Sequence, residues 1–289
     1  MATFTTTSYA RAPSRTAEGV AIQRALHLKL DSPPHILTDS VAANLLSAGA
    51  LEEAASLDSE GSRLMRYHCC LRSRYAEDKL LAAVEQRGVS RLVILGAGLD
   101  TLAYRLPQAL QTGLEEVVEV DHPASQRDKL SRLAAAGVAL PPNLRLLPVD
   151  FEAGSSLASS LAPSPRPSFF ICLGVLMYIP PSAVQELFKY VASLPPGSEI
   201  VFSFMSSLPL SPGATSISWP SSWAGRGVEQ QAAAVGEPFL SKYTPDELSE
   251  LLLSVGFSEV HFLDRAEAFS SYPSPLCTNF RTNIGRAIV

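Results

Sequence analysis

No apolar run in this chain reaches the roughly 18 residues that a membrane-spanning helix requires, so a membrane is not an expected partner. Positive charge is also scarce. Lys and Arg number 23 against 28 Asp and Glu, a net charge of −5. Nucleic-acid surfaces normally show as a basic excess, so nucleic acid is not expected either. Cysteines are few: Cys69, Cys70, Cys172 and Cys277. Their spacing fits neither a zinc site nor a disulfide framework. No metal is expected, and a reducing, cytoplasmic location is the default. Cys172 lies in an apolar run and reads as core packing. The opening "MATFTTTSYARAPSRTAEG" lacks the apolar segment of a secretory signal. It has Ser, Thr and two Arg with no acid before Glu18. A transit peptide has that composition, and so does a disordered tail; residues 1–14 are read as the tail.

The 289 residues are 46% hydrophobic and 18% charged, enough for one large α/β domain. Residues 15–88 read as a helical extension. Apolar positions in "AEGVAIQRALHLKL" recur at helical spacing, and "DSPPHIL" interrupts them. "TDSVAANLLSAGALEEAASL" resumes with Thr38 or Asp39 as a candidate N-cap, and a longer amphipathic helix ends near Gly88.

After residue 88 short aliphatic runs alternate with helical stretches. The runs are "RLVILG" (91–96), "EEVVEVD" (115–121), "LRLLPVD" (144–150), "SFFICLG" (168–174), "SEIVFSF" (198–204) and "SEVHFLD" (258–264). Five of the six suit strands buried on both faces, as in a parallel sheet. "QRDKLSRLAAAG" and "PSAVQELFKYVASL" suit crossover helices, and "TPDELSELLLSVGF" carries an N-cap at Thr244. Residues 154–168 are rich in Ser and Pro and read as a loose connection. Residues 205–239 form a long irregular insertion containing Trp219 and Trp223. Long insertions in compact domains are often functional covers, though two packed tryptophans on a surface loop would look the same.

The alternation predicts an α/β fold with a mostly parallel sheet. Residues 89–204 form its core, 205–239 a cap-like insertion and 240–289 the final helix and strands of one domain, 15–289.

The first strand ends in Gly96-Ala97-Gly98-Leu99-Asp100-Thr101. A dinucleotide fingerprint wants a third glycine where Thr101 stands. No P-loop Lys-Ser/Thr pair is present. The second strand ends in Asp121, 23 residues beyond Gly98, at the right reach for ribose hydroxyls. The third ends in Asp150, followed by Phe151: an acceptor for an adenine amino group and a cover for its ring. Three successive strand ends therefore offer an adenosine site with little provision for phosphate. S-adenosyl-L-methionine matches that set.

The stretches "LRSRYAEDKLL", "VILGAGLDTLAYRL", "VVEVDHP", "LLPVDFE" and "GVLMYIP" occur in that order. Together they resemble the leucine carboxyl methyltransferase family, over roughly residues 20–265. The resemblance implies a class I fold, a Rossmann-like α/β sheet of seven mostly parallel strands with an antiparallel pair near 257–264 and 279–288 and with residues 89–204 as the cofactor-binding core. It also implies S-adenosyl-L-methionine as cofactor and methyl transfer to an oxygen nucleophile of a small molecule or peptide. It further implies that Arg72 pairs with the methionine carboxylate, with Arg74 the neighbouring candidate. Gly96, with Ala97 and Gly98, lies against the cofactor; Asp121 and the adjoining His122 line the ribose side, and Asp150 with Phe151 the adenine. Lys29 is the nearest match to an early family Lys, and Arg105 serves either the fold or the substrate side. Leu173 departs from the pattern, standing where the family usually has an acid beside the cofactor.

None of the five histidines stands out as a base. His68, ahead of Arg72, can face the pocket, and His122 reads better as a cap. Tyr178 is the candidate for orienting the acceptor, with a half-buried packing role as its alternative. The missing base favours a carboxylate or an acidic hydroxyl as acceptor. Two other readings stand beside this one. A nicotinamide-dependent oxidoreductase conflicts with Thr101 and with the absent Tyr-x-x-x-Lys pair. A non-catalytic protein that keeps the fold draws on Leu173.

Overall fold

The computed structural model describes residues 14–150, 157–209, 227–273 and 281–289. Three helices precede the sheet: α1 (Arg15–Leu30), α2 (Ala50–Ser56) and α3 (Glu60–Arg87). The Ser14 hydroxyl caps α1 by accepting from the Ala17 N–H. Ser59 and Ser62 form a reciprocal capping box at the start of α3, and Gly88, at φ 66°, ends it in the left-handed region. The helix expected after Thr38 is broken instead. Residues 42–45 form a 3₁₀ turn, and Gly49, at φ 79°, precedes α2. Asp39 does accept from the backbone N–H groups of Val41 and Ala42, but over that short turn.

The sheet strands are β1 (Arg91–Leu95), β2 (Glu116–Asp121), β3 (Leu144–Pro148), β4 (Ser168–Cys172), β5 (Glu199–Ser203), β6 (Glu259–Phe262) and β7 (Ile284–Ile288). Their spatial order is β3-β2-β1-β4-β5-β7-β6. The first five are parallel, and β7 runs antiparallel to both β5 and β6. All six aliphatic runs are strands, and the antiparallel pair is present, with β6 at the sheet edge and β7 inside it.

Burial follows position in the sheet. β1, β4 and β5 are buried throughout, and β2 at all but its ends. β3 is half exposed because it forms the other edge, so four strands rather than five are buried on both faces. Side chains alternate between two cores. Val93, Leu95, Phe170 and Phe202 face one side, with α7 (Pro181–Ala192) and α9 (Pro245–Val255). Leu92, Ile94, Phe169 and Val201 face the other, with α3. Inside β2, Glu119 is buried and answered by Lys129 Nζ at 2.8 Å from α5 (Pro123–Ala135). Thr244 and Glu247 complete the expected cap of α9.

Four shorter helices fill connections: α4 (Gln108–Gly113), α6 (Leu157–Ser160), α8 (Val228–Ala234) and α10 (Arg265–Ser271). α6 lies within the Ser/Pro-rich connection, and α8 within the stretch read as irregular. The expected tail before Ser14, Cys277 and both tryptophans lie outside the described residues. Among the described residues no helix is long and apolar enough to cross a membrane.

The chain builds outward from β1 to β3, then returns to β4 on the other side of β1. Such a reversal leaves a crevice at the carboxyl ends of the two central strands. The interior beside it has little slack. A Cβ on Gly285 of β7 would lie 2.4 Å from the Phe202 ring. Gly285→Ala is expected to destabilise the fold by about 1–3 kcal/mol through overpacking, read from urea denaturation.

Candidate active site

A cavity of about 770 Å³ occupies that crevice, within the size range of small-molecule sites. Gly96, Ala97, Gly98, Asp121, His122, Asp150, Leu173 and Tyr178 all line it, and Arg72 reaches it from α3. Phe151 lies outside the described residues.

The glycine loop is compressed from both sides. Gly96 has φ 61°, and a Cβ there would meet Val175 at 2.4 Å; Gly98 has φ 42°, and a Cβ would meet Ala17 of α1 at 2.9 Å. Glycine is needed here for packing against protein, before any ligand is considered. The Asp121 carboxylate braces the loop, accepting from the Gly98 N–H at 2.5 Å and the His122 N–H at 2.6 Å. Burial pushes its carboxyl above the ordinary value, against the pull of those two bonds. His122 caps α5, its Nδ1 accepting from the Ala124 N–H at 3.1 Å, while Nε2 lies 3.6 Å from Asp150.

Arg72 is only 6% exposed. Among the described residues no hydrogen bond or ion pair reaches its guanidinium, and its Nε is sealed from solvent. Gly174, at φ 72°, makes room for it: a Cβ there would sit 3.1 Å from a guanidinium nitrogen. His68 also lines the cavity. Burial, then the charge of Arg72, drives its pKa from the ordinary 6.5 to about 3. Burial likewise raises the Cys69 thiol.

The remaining sequence candidates separate cleanly. Arg74 pairs with Asp78 on the outer face of α3, and Lys29 with Glu52 on the surface; neither lines the cavity. Arg105 serves the fold, binding Glu77 through two bonds of 3.1 and 2.6 Å. Leu173 is half-buried against the α3-side core.

Several wall residues gave no signal in the sequence. α1 contributes Ala17, Val20 and Arg24, one helix face at i, i+3, i+7 spacing. The segment around Glu237 closes over them. Its carboxylate accepts from the Ser14 hydroxyl at 3.1 Å, the Arg15 N–H at 2.9 Å and the Thr16 hydroxyl at 2.5 Å. Phe239 meets the Tyr178 ring edge-on, centroids 5.3 Å apart. The amide of Leu240 donates to the Met177 carbonyl, fastening this segment to the turn after β4. Burial pushes the Tyr178 phenol up to about 12.

The leucine carboxyl methyltransferase family profile matches residues 17–192. The chain belongs to this family. Over 269 residues it is 32% identical to a Bacillus subtilis protein named "Putative S-adenosyl-L-methionine-dependent methyltransferase YktD", covering 82% of this chain and 83% of that one. A Mycobacterium tuberculosis relative of the same description, Rv1729c, is 29% identical over 209 residues, 67% of this chain and 65% of its own. A crystal structure titled as a putative methyltransferase from Thermobifida fusca superposes with TM-score 0.55 at 16% identity, covering 97% of this chain and 96% of that one. A DUF574-family protein from Streptomyces avermitilis superposes with TM-score 0.56 at 15% identity, covering 96% and 97%. These two likenesses speak to the fold alone. Family membership makes this leucine carboxyl methyltransferase relative an S-adenosyl-L-methionine-dependent methyltransferase.

His68 sets a pH test. Below pH 6.5 the unfolded chain binds a proton at His68 that the folded chain refuses until about pH 3. Stability therefore falls as pH drops through that window, by up to about 1.4 kcal/mol per pH unit from this group. The stability difference between wild type and His68→Phe, measured by urea denaturation from pH 7 to pH 4.5, is expected to shift against the wild type by that slope.

Proposed function

We propose that the protein transfers a methyl group from S-adenosyl-L-methionine to an oxygen nucleophile, a carboxylate or an acidic hydroxyl, of a small molecule or peptide. The observation that carries the cofactor site is the guanidinium of Arg72, which lines the cavity at 6% exposure and which no described residue answers. A cation with little exposure and no counter-charge nearby is costly to hold. An incoming carboxylate would offset that cost through a charge-assisted bond.

The other residues present fit the same occupant. Asp121 would accept from ribose hydroxyls while bracing the loop, and Asp150 would take the adenine amino group. Gly96, Ala97 and Gly98 would present backbone to it, with His122 and Leu173 completing the wall. The chemistry the bound cofactor supplies is an electrophilic methyl group on a sulfonium.

The chain's own contribution is placement and exclusion of water. Much of the barrier in a displacement of this kind is lowered by holding the reactants aligned. Tyr178, Phe239 and Leu240 form an apolar wall over the cavity, and the Glu237 contacts hold that wall against α1. No strong base is at hand among these groups. The His68 imidazole is weak, and the Tyr178 phenol keeps its proton at neutral pH. Glu237 is committed to three donors. An acceptor that arrives ionised needs no base, which supports the carboxylate or acidic hydroxyl. Tyr178 is then left to orient the acceptor by a hydrogen bond.

A second reading, a fold retained without catalysis, draws on Leu173 in place of the family's acid. Tritium-methyl transfer separates the two. Incubation with labelled cofactor and a panel of carboxylic acids and phenols is expected to yield labelled product. Release of volatile label by mild base identifies a methyl ester. No transfer to any acceptor, with cofactor binding intact, favours the second reading.

Two variants test the residue roles. Arg72→Met is expected to weaken binding of S-adenosylhomocysteine by about 100-fold, since a charge-assisted pair contributes up to about 3 kcal/mol. The same variant is expected to raise the Tm of the ligand-free protein, because a buried unpaired cation has been removed. Calorimetric titration and a thermal melt on one sample check both. Tyr178→Phe is expected to lower kcat/KM about tenfold with the S-adenosylhomocysteine Kd unchanged, as removal of one hydrogen bond to the acceptor would.

A further inference from the structure

Thr101 stands where a dinucleotide fingerprint has its third glycine, and it is fully buried. Its hydroxyl donates to Asp39 Oδ2 at 2.6 Å and accepts from Arg105 Nε at 3.0 Å. Asp39, 1% exposed, also accepts from Arg24 Nε at 2.8 Å and lies 3.5 Å from Arg105. Arg24, 3% exposed, donates from its other end to the Leu99 carbonyl at 2.7 Å. Arg105 is closed off by Glu77 of α3.

The assembly is two cations, two anions and one hydroxyl. Its members come from α1, the turn at residues 39–42, the glycine loop, the turn that follows it and α3. The hydroxyl is the node. Its single proton is committed to Asp39, so it can only accept from Arg105. Arg24 meanwhile grips the loop by its backbone, one residue beyond Gly98. Ala17, two turns earlier on the same helix, seats against Gly98 itself. The loop is thus clamped between a packing contact and a hydrogen-bonded lattice, and the helical extension is joined to the loop at both.

We propose that Thr101, with Asp39 and Arg24, is a positioning residue for methyl transfer: the buried lattice centred on its hydroxyl holds the glycine loop in the conformation that receives the cofactor. Thr101 acts through the loop and not by contact with the reacting atoms. The inference rests on the reading of this cavity as the cofactor site. It also accounts for the Thr. A glycine would leave Asp39 and Arg105 each short of a partner inside the protein, where an unanswered polar group is costly.

Three variants of the full chain test it, with S-adenosylhomocysteine as probe in calorimetric titration. Thr101→Val keeps the shape and removes the hydroxyl; Thr101→Ser keeps the hydroxyl. Thr101→Val is expected to bind about tenfold more weakly, and Thr101→Ser within about twofold of wild type, as one buried hydrogen-bond node would dictate. Hydrogen exchange should quicken at residues 96–101 in Thr101→Val, with the amides of β4 and β5 unchanged. If Thr101→Val does not fold, Glu77→Gln is read instead. It lies at the far end of the lattice, outside the cavity wall, and is expected to bind about threefold more weakly. Equal affinity in the folded Thr101→Val and wild type overturns the proposal, as does equal weakening in Thr101→Val and Thr101→Ser. If Thr101→Val is unfolded, wild-type affinity in Glu77→Gln overturns it. No binding by the wild type overturns the cofactor-site reading instead, and the positioning role with it.

Discussion

No counter-charge among the described residues meets the buried guanidinium of Arg72, and its neighbours in the cavity are arranged around that fact. Gly174 leaves room for it, in a backbone conformation that a side chain would strain. The His68 imidazole beside it is kept neutral, partly by its charge. A carboxylate at this point would satisfy Arg72 and leave the ligand-free protein more stable. On the proposed reading the chain keeps a cation where a ligand can answer it, the common exchange of stability for function.

The glycine loop faces the opposite demand. No described residue satisfies Arg72, whereas the loop is over-determined. Asp121 fixes its amide, Ala17 and Val175 press on it, and Arg24 holds its carbonyl. A loop with two glycines has many conformations to lose on ordering. Contacts from α1, β2 and the turn after β4 remove that freedom during folding, so binding need not do so. This arrangement gives the helical extension a purpose beyond covering one face of the sheet. Through Ala17 and Arg24 it shapes the loop, and through Ser14 to Thr16 it holds Glu237 over the cavity.

Much of this was legible in the sequence. Buried parallel strands need continuous aliphatic runs, and all six runs are strands. Asp121 and Asp150 were placed by the rule that ligands gather at strand ends, and both line the cavity. Thr244 and Gly88 carried unambiguous cap chemistry. Other features left no trace. β3 has the composition of an interior strand, and only the strand order makes it an edge. Arg24 and Asp39 look like ordinary helix and turn residues, because their pairing joins positions far from Thr101 in the chain. Glu237 lies 221 residues from Thr16, and nothing local marks it.

The sequence by itself determined the fold class, the family, the cofactor and the strand-end acids, because these follow from local hydrophobic pattern and short motifs. The tertiary structure decided what each arginine meets: Arg72 lines the crevice, where the resemblance had put it, while Arg74 serves the surface and Arg105 the fold. Arg72, Arg74 and Arg105 are the same residue type, and the side chain alone does not tell them apart. A guanidinium's role depends on whether a carboxylate meets it, and the packing of distant segments sets that. Arg74 finds Asp78, Arg105 finds Glu77, and no carboxylate among the described residues meets Arg72.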